Sequence, residues 1–396
     1  MSSYISTTTA SSDADSLSSS WRRRDGLLPY ENLSAIFSYI SHAHVLHLRH
    51  LLFVCRSWSL VVLQEAELWS SIRIDRELHQ YFGASTLGRE FKGAHAANFI
   101  SLCISRSKSH PLSVILDFTA FMNLSRTRGD SINMDLSPLL KTLVGPLGQH
   151  ALRWHSFEWH SSTNVDRASE IISILPHRLP QLKYTRLYEI QWLQQNNLIF
   201  PHCPSLESVE LHEHQEYGVH LFDERNSSIV KELLIESRWA WHLEDLHYIA
   251  SFKNILRLTL FSSHEGAHFE PEAPEEIHLP QLKDLRLKGF IHLKLIRLLS
   301  APSLNKIEFD HYESINAILS HLVSTDIETI AALIPPPNLG LLDVRIAAAL
   351  NNLVASLHGL RSIRVKRWIH EEVKASDYPL GTSWILGHGI RLVIEE

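Results

Sequence analysis

Leu179-Pro180-Gln181-Leu182-Lys183-Tyr184-Thr185-Arg186-Leu187 returns almost unchanged as Leu279-Pro280-Gln281-Leu282-Lys283-Asp284-Leu285-Arg286-Leu287. Between them stands Cys203-Pro204-Ser205-Leu206-Glu207-Ser208-Val209-Glu210-Leu211. The shared phrase is apolar-x-x-apolar-x-apolar, opened by Pro-x. Working outward, the same phrase falls at Trp154/Phe157/Trp159, Val230/Leu233/Ile235, Ile255/Leu258/Leu260, Leu304/Ile307/Phe309, Leu339/Leu342/Val344 and Leu360/Ile363/Val365. Successive copies begin 21 to 28 residues apart, except for one gap of 35 that requires an insertion. The text between copies has helical spacing, as in Glu170–Leu175, His292–Leu299, Ser314–Val323 and Ala347–Leu357. Each unit is therefore expected to be a short strand, a turn and a helix. One such unit exposes apolar surface that only its neighbours can cover, so the units must stack. The expected architecture is α/β, an irregular curved solenoid or horseshoe over residues 149–396.

Periods of this length resemble those of leucine-rich repeats, which run about 20–29 residues. The copies here lack the regular Asn that follows the strand in many such repeats, so the solenoid should be irregular. Side chains alternate along a strand, and residues between the buried positions face the inner surface. Those residues include Tyr184, Arg186, Tyr188, Glu210, Glu232, Arg257, Phe261 and Arg286. The face reads as acidic in its middle and basic toward the C-terminal end. Tyr and Arg are enriched where partners bind, which makes these eight residues the candidate surface for a client protein.

Ahead of the repeats, residues 1–24 are Ser/Thr-rich with few large apolar groups, and are expected to be a disordered tail. Arg22, Arg23 and Arg24 at its edge read as a solvated linker. The next stretch, residues 25–75, reads as a small helical unit. Leu33, Ile36, Phe37 and Ile40 have the spacing of one helix face. Leu48, Leu51, Leu52, Cys55 and Trp58 suggest a second helix, and a third segment ends at Leu68-Trp69. A unit so short is marginal alone and should gain stability from what it packs against. Residues 76–148 are expected to be linking helices and first strands of the solenoid. The alternation of Leu112, Val114, Leu116 and Phe118 marks a strand, and residues 122–137 read as a loop.

Leu28-Pro29-Tyr30-Glu31-Asn32-Leu33-Ser34-Ala35-Ile36-Phe37, followed by Val54-Cys55-Arg56-Ser57-Trp58 and Leu68-Trp69, resembles an F-box. With the repeats behind it, the chain is similar to F-box/leucine-rich-repeat proteins of the fungal type. It departs from that pattern at Asn32, and in a longer stretch between Phe37 and Val54 that carries His42, His44, His47 and His50. The resemblance implies that the F-box docks on the Skp adaptor of an SCF-type cullin–RING ubiquitin ligase. By position, the docking residues are Leu28, Pro29, Leu33, Ile36, Phe37, Val54, Cys55 and Trp58. It further implies that the repeats capture the protein to be ubiquitinated. The alternative is a non-catalytic interaction scaffold in which a degenerate F-box only caps the solenoid.

Composition narrows the field further. Lys+Arg is 37 against Asp+Glu 43, a formal net charge of −6, which disfavours a nucleic-acid partner. No apolar run is long enough to span a bilayer, and the N-terminus lacks the features of a secretory signal. Three cysteines, Cys55, Cys103 and Cys203, suit a reducing compartment, so an intracellular location, cytoplasmic or nuclear, is expected. None of G-x-S-x-G, G-x-x-x-x-G-K-[ST], G-x-G-x-x-G or H-E-x-x-H occurs, so no catalytic residue, cofactor or metal is expected. Cys55 beside Arg56 is expected to be buried and inert. His212, Glu213, His214 and His220 could suggest a metal site, but no cysteine lies near in sequence, and scattered histidines are the simpler expectation.

Overall fold

The computed structural model describes residues 28–82, 93–118, 136–160, 173–188, 200–214, 221–237, 248–262, 277–289, 299–310, 329–332, 361–366 and 391–395. The expected N-terminal tail, most of the 122–137 loop, and the helical texts at 314–323 and 347–357 lie outside those residues. So do 170–172 and 292–298. Of the helix expected at Glu170–Leu175, Ser173 and Ile174 are helical.

The chain begins with helix α1 (Tyr30–Ala43), a 3-10 turn (Val45–His47), short helix α2 (Leu48–Leu51), helix α3 (Arg56–Gln64) and a second 3-10 turn (Ala66–Trp69). The second helix expected from Leu48 through Trp58 is thus two helices separated by a turn. α1 buries Leu33 and Phe37, and Ile40 packs against the same core. Trp69 is buried and its indole Nε1 donates to the carbonyl of Val62 at 2.7 Å, which closes the helical head.

Strand β1 (Ser71–Ile74) follows at once and pairs in parallel with β2 (Leu112–Asp117). The sheet therefore begins inside the segment read as purely helical, at residue 71 rather than after residue 75. Helices α4 (Arg76–Phe82) and α5 (Gly93–Arg106) lie between these two strands in sequence, and α6 (Ser137–Val144) precedes β3. The strands β3 (Trp154–His160), β4 (Tyr184–Tyr188), β5 (Ser208–His214), β6 (Glu232–Ser237) and β7 (Arg257–Ser262) add in sequence order, with short helix α7 (Glu224–Ser227) before β6. β9 (Asp284–Gly289), β11 (Lys306–Phe309), β12 (Thr329–Ala332), β13 (Ser362–Lys366) and β14 (Arg391–Glu395) complete one 12-stranded sheet. Every pairing in it is parallel and joins strands consecutive within the sheet. That is the stacking expected of a leucine-rich-repeat solenoid.

Two short strands, β8 (Ile277–His278) and β10 (Leu299–Ser300), form a separate parallel pair just before two of the Pro-x phrases. The bridge Arg178↔His202 does the same before the phrases at 182 and 206, four repeats earlier. The three apolar positions of the phrase are the buried ones. Leu182, Leu206, Val230, Ile255, Leu282 and Leu304 form one inward row. Thr185, Val209, Leu233, Leu258, Leu285 and Ile307 form the next, and Leu187, Leu211, Ile235, Leu260, Leu287 and Phe309 the third. Each buried Leu or Ile is worth about 1.5–3 kcal/mol relative to exposure, so the rows are the main stabilising term.

One expected repeat is displaced. The place in the sheet between β11 and β13 is held by Thr329–Ala332, not by Leu339/Leu342/Val344, which lies outside the described residues. Within the gap of 35, the strand is Thr329-Ile330-Ala331-Ala332, which carries no leucine. Where the repeats lack a regular Asn, Asn226 supplies one instance of its chemistry. It is fully buried, accepts from the Cys203 N–H at 2.8 Å and donates to the Pro201 carbonyl at 3.0 Å.

Candidate functional site

Two surfaces carry the expected functional residues, one on the helical head and one on the inner sheet face. On the head, the eight docking candidates divide by the side of the helix they occupy. Leu33 and Phe37 are buried, Phe37 completely, and Trp58 lies half-buried with its ring edge-on to Phe37 at 5.1 Å. Leu33 and Phe37 hold the head together from beneath, and Trp58 packs against them with part of its surface still exposed. Leu28, Pro29, Ile36, Val54 and Cys55 are exposed. Phe53 is 87% exposed and Tyr39 82%, and neither was anticipated from the sequence. Their signal was present all the same: Tyr39 lies off the Leu33/Phe37 face of α1, and Phe53 falls in the break between two helices.

Cys55 is exposed, contrary to the expectation of burial. It caps α3 at its N-terminus, and its sulfur lies 3.0 Å from Ser57 Oγ. That hydrogen bond, followed by the backbone N–H groups of the first helical turn, lowers its thiol pKa. Cys103 and Cys203 are buried, and burial pushes both thiols up.

The long histidine-bearing stretch of the head has a structural use. His44 is completely buried. Its Nδ1 accepts from the Leu46 N–H at 3.0 Å, and its Nε2 meets Asp75 Oδ1 at 3.2 Å. Asp75 Oδ1 also accepts from the N–H groups of Glu77 and Leu78, the start of α4. Burial pushes the Asp75 carboxyl up, but its bonds to His44 and the backbone prevail and lower it.

On the inner face, the parallel register aligns the intervening residues into rows that cross the strands. One row runs Ser156, Tyr184, Ser208, Glu232, Arg257, Asp284, Lys306. The next runs Glu158, Arg186, Glu210, Leu234, Thr259, Arg286, Glu308. All eight client candidates are on this face, and the register brings their charges into pairs. Arg186 bridges Glu158 (3.7 Å) and Glu210 (2.5 Å). His212 bridges Glu210 (3.3 Å) and Glu236 (2.6 Å), and His160 pairs with Glu158 at 2.6 Å. Farther along, Arg257 joins Glu232 (2.6 Å) and Asp284 (3.3 Å), while Arg286 and Lys306 both approach Asp284 and Glu308.

A third row is aromatic. His160, Tyr188 and His212 stack nearly parallel, with ring centroids 4.0 and 4.3 Å apart. Sequence reading marked Tyr188 but missed both histidines as its partners, because the stack needs the register of three strands. The same contacts set the protonation equilibria. The hydrogen bond from His212 and the guanidinium of Arg186 outweigh burial and hold Glu210 at about 2. Glu158 is lowered by His160 and, to a lesser degree, by Arg186, against opposing burial. For His212, burial favours the neutral ring, yet Glu210 and Glu236 together raise its pKa.

Nothing in this arrangement positions a nucleophile against a base and an acceptor of developing charge. His212 is already engaged by two carboxylates; His220 and the side chains of Glu213 and His214 lie outside the described residues. Among the described residues, no group of three His, Cys, Asp or Glu is placed to hold a metal, and no helix is long and apolar enough to cross a membrane.

Residues 26–75 match the family described as F-box-like. No curated protein matches the chain. Among solved structures, it is similar to the leucine-rich repeat-containing protein LegL7 from Legionella pneumophila, with 11% identity and a TM-score of 0.33 over 64% of this chain and 86% of that one. The F-box-like match thus stands at the head of a parallel sheet whose strands carry the repeated apolar phrase.

Proposed function

We propose, from an F-box-like domain that leads directly into a parallel repeat sheet, that the chain is the substrate-recognition adaptor of an SCF-type cullin–RING ubiquitin ligase. Leu28, Pro29, Ile36, Val54 and Cys55 dock on the Skp adaptor, with Phe53 added to them and with Leu33, Phe37 and Trp58 as their support. The inner sheet face holds a client protein. The chain makes and breaks no bond; it raises the effective concentration of client lysines near the ubiquitin-loaded enzyme. A cytoplasmic or nuclear location follows from that role.

The observation that carries this proposal is the exposure of large apolar side chains on the F-box-like helices. Ile36 is 45% exposed, Val54 55% and Phe53 87%. A small head that leaves such groups in water has the character of a surface covered in a complex, where buried apolar anchors provide most of the binding energy. Co-purification of the Skp adaptor with the wild type, Ile36→Asp and Phe53→Asp tests it. Wild type should retain the adaptor and both variants should lose it, with unchanged thermal melting because both positions are already exposed. Leu33→Asp would be a poor choice, since a charge forced into the core unfolds the head regardless of docking. Failure of the wild type to retain the adaptor overturns the proposal.

A specific observation favours the scaffold alternative in that event. β1 is the terminal strand of the sheet, and the 3-10 turns Val45–His47 and Ala66–Trp69 of the head pack against it. An open edge invites pairing with other chains, and covering it is sufficient reason for a helical cap.

A further inference from the structure

The inner face is not uniform in charge, and its two halves differ. On β3–β6 it presents four carboxylates, Glu158, Glu210, Glu232 and Glu236. Against them stands one guanidinium of the same strands, Arg186, while Arg257 of β7 is divided between Glu232 and Asp284. On β7–β11 that acidic excess is gone: Arg257, Arg286, Lys288 and Lys306 stand with Asp284, Glu308 and, at the end of β11, Asp310. The opposite face of the same strands is buried, whereas these rows remain partly exposed, with Tyr184 at 44%. Within the acidic half, the stacked rings of His160, Tyr188 and His212 run alongside the carboxylates.

We propose that the inner sheet face over β3–β6 docks an extended lysine- or arginine-rich segment of a protein partner. The inference rests on the inner face being the partner-binding face, as proposed above, and specifies the chemistry of what binds there. Charge complementarity selects a cation over an anion. The carboxylates receive the ammonium or guanidinium heads, and the neighbouring aromatic rings offer flat surface to the aliphatic stems and the cations themselves. Three steps between strands at about 4.8 Å span about 14 Å, which four or five extended residues at about 3.3 Å each cross. The half that follows lacks the acidic excess, and so gives the same segment no comparable attraction, which fixes where along the sheet it sits.

The test uses the full-length chain and fluorescence anisotropy with labelled hexalysine and hexaglutamate peptides. Hexalysine should bind, hexaglutamate should not, and hexalysine binding should fall steeply as salt rises from about 50 to about 300 mM, where screening shortens the reach of exposed charges. Glu232→Gln combined with Glu236→Gln should weaken hexalysine about tenfold, while Lys288→Gln should not weaken it. If the double variant melts at lower temperature, Glu232→Lys alone, at a half-exposed position, carries the same expectation. Equal binding of the two peptides, or hexalysine binding indifferent to these acidic positions, overturns the inference. Adaptor capture is measured on the same preparations. Loss of capture by the wild type with selective hexalysine binding intact refutes the ligase role alone; intact capture with charge-blind peptide binding refutes this inference alone.

Discussion

Thr185 occupies the inward position that Val209, Leu233, Leu258, Leu285 and Ile307 occupy in the repeats that follow. It is 2% exposed, and its hydroxyl has no hydrogen-bond partner among the described residues. A buried hydroxyl left unpaired costs about 1–3 kcal/mol. Thr185→Val should therefore stabilise the chain by about 1 kcal/mol, read as a higher urea midpoint with unchanged slope; a lower midpoint would show that the hydroxyl is satisfied. Glu210 and His212 make opposite contributions across the pH scale. The Glu210 pKa is depressed, so its contribution is full above the ordinary carboxylate value of about 4.3 and is lost as pH falls through about 2. The His212 pKa is raised, so its contribution is full below the ordinary imidazole value of about 6.5 and lost as pH rises through the folded-state value. Melting temperatures of wild type and His212→Gln should accordingly differ most below the ordinary imidazole value and converge as pH rises above the folded-state value; a gap independent of pH would refute the assignment. At this scale the sequence was legible where alternation alone decides a side chain's direction, as for Tyr184, Arg186 and Glu210. It was not legible for His160 and His212, whose partners come from other strands. The helical spacing of Leu33, Ile36 and Phe37 likewise grouped them together, and only packing against Trp58 separates inward Phe37 from outward Ile36.

Among the elements, strands β3–β11 of the main sheet were readable because each carries the phrase with leucine, isoleucine, valine or an aromatic at the buried positions, Thr185 excepted. β12 was not, because Thr-Ile-Ala-Ala fills the same place with small side chains, and a search for leucine passes over it to 339–344. β1 was hidden for a different reason. Ser71-Ile72-Arg73-Ile74 is too short to show periodicity and follows the helical head without a break, so the sheet was expected to begin only after residue 75. The end of β9 shows how closely neighbouring strands approach. Gly289 has φ +66, a side chain there would meet the Ser262 carbonyl oxygen at 2.0 Å, and its own N–H donates to Asp310 at 2.6 Å. Gly289→Ala should cost about 2 kcal/mol or more, from left-handed backbone and a clash that only strand separation relieves. Thermal denaturation followed by circular dichroism would show this, and a loss below about 0.5 kcal/mol would mean that β7 and β9 yield easily.

For the molecule as a whole, the joint between head and sheet matters most. His44 from the head, Asp75 after β1 and the start of α4 share one hydrogen-bonded knot, and Tyr30 of α1 donates to Glu65 just before β1. His44→Ala removes a capping acceptor and leaves Asp75 without its partner, and should cost about 1–2 kcal/mol. A double-mutant cycle with Asp75→Asn should show coupling of about 0.5 kcal/mol or more; additive losses would mean that the two sides act independently. With β1 laddered onto β2, no hinge separates the F-box-like helices from the first rung of the array. The sheet then serves as a ruler fixed at its zero mark. Each strand is a graduation of about 4.8 Å, and a cargo gripped two rungs farther along arrives about 10 Å displaced relative to whatever the head is bolted to. The rung a cargo occupies would thereby decide which of its side chains come within reach.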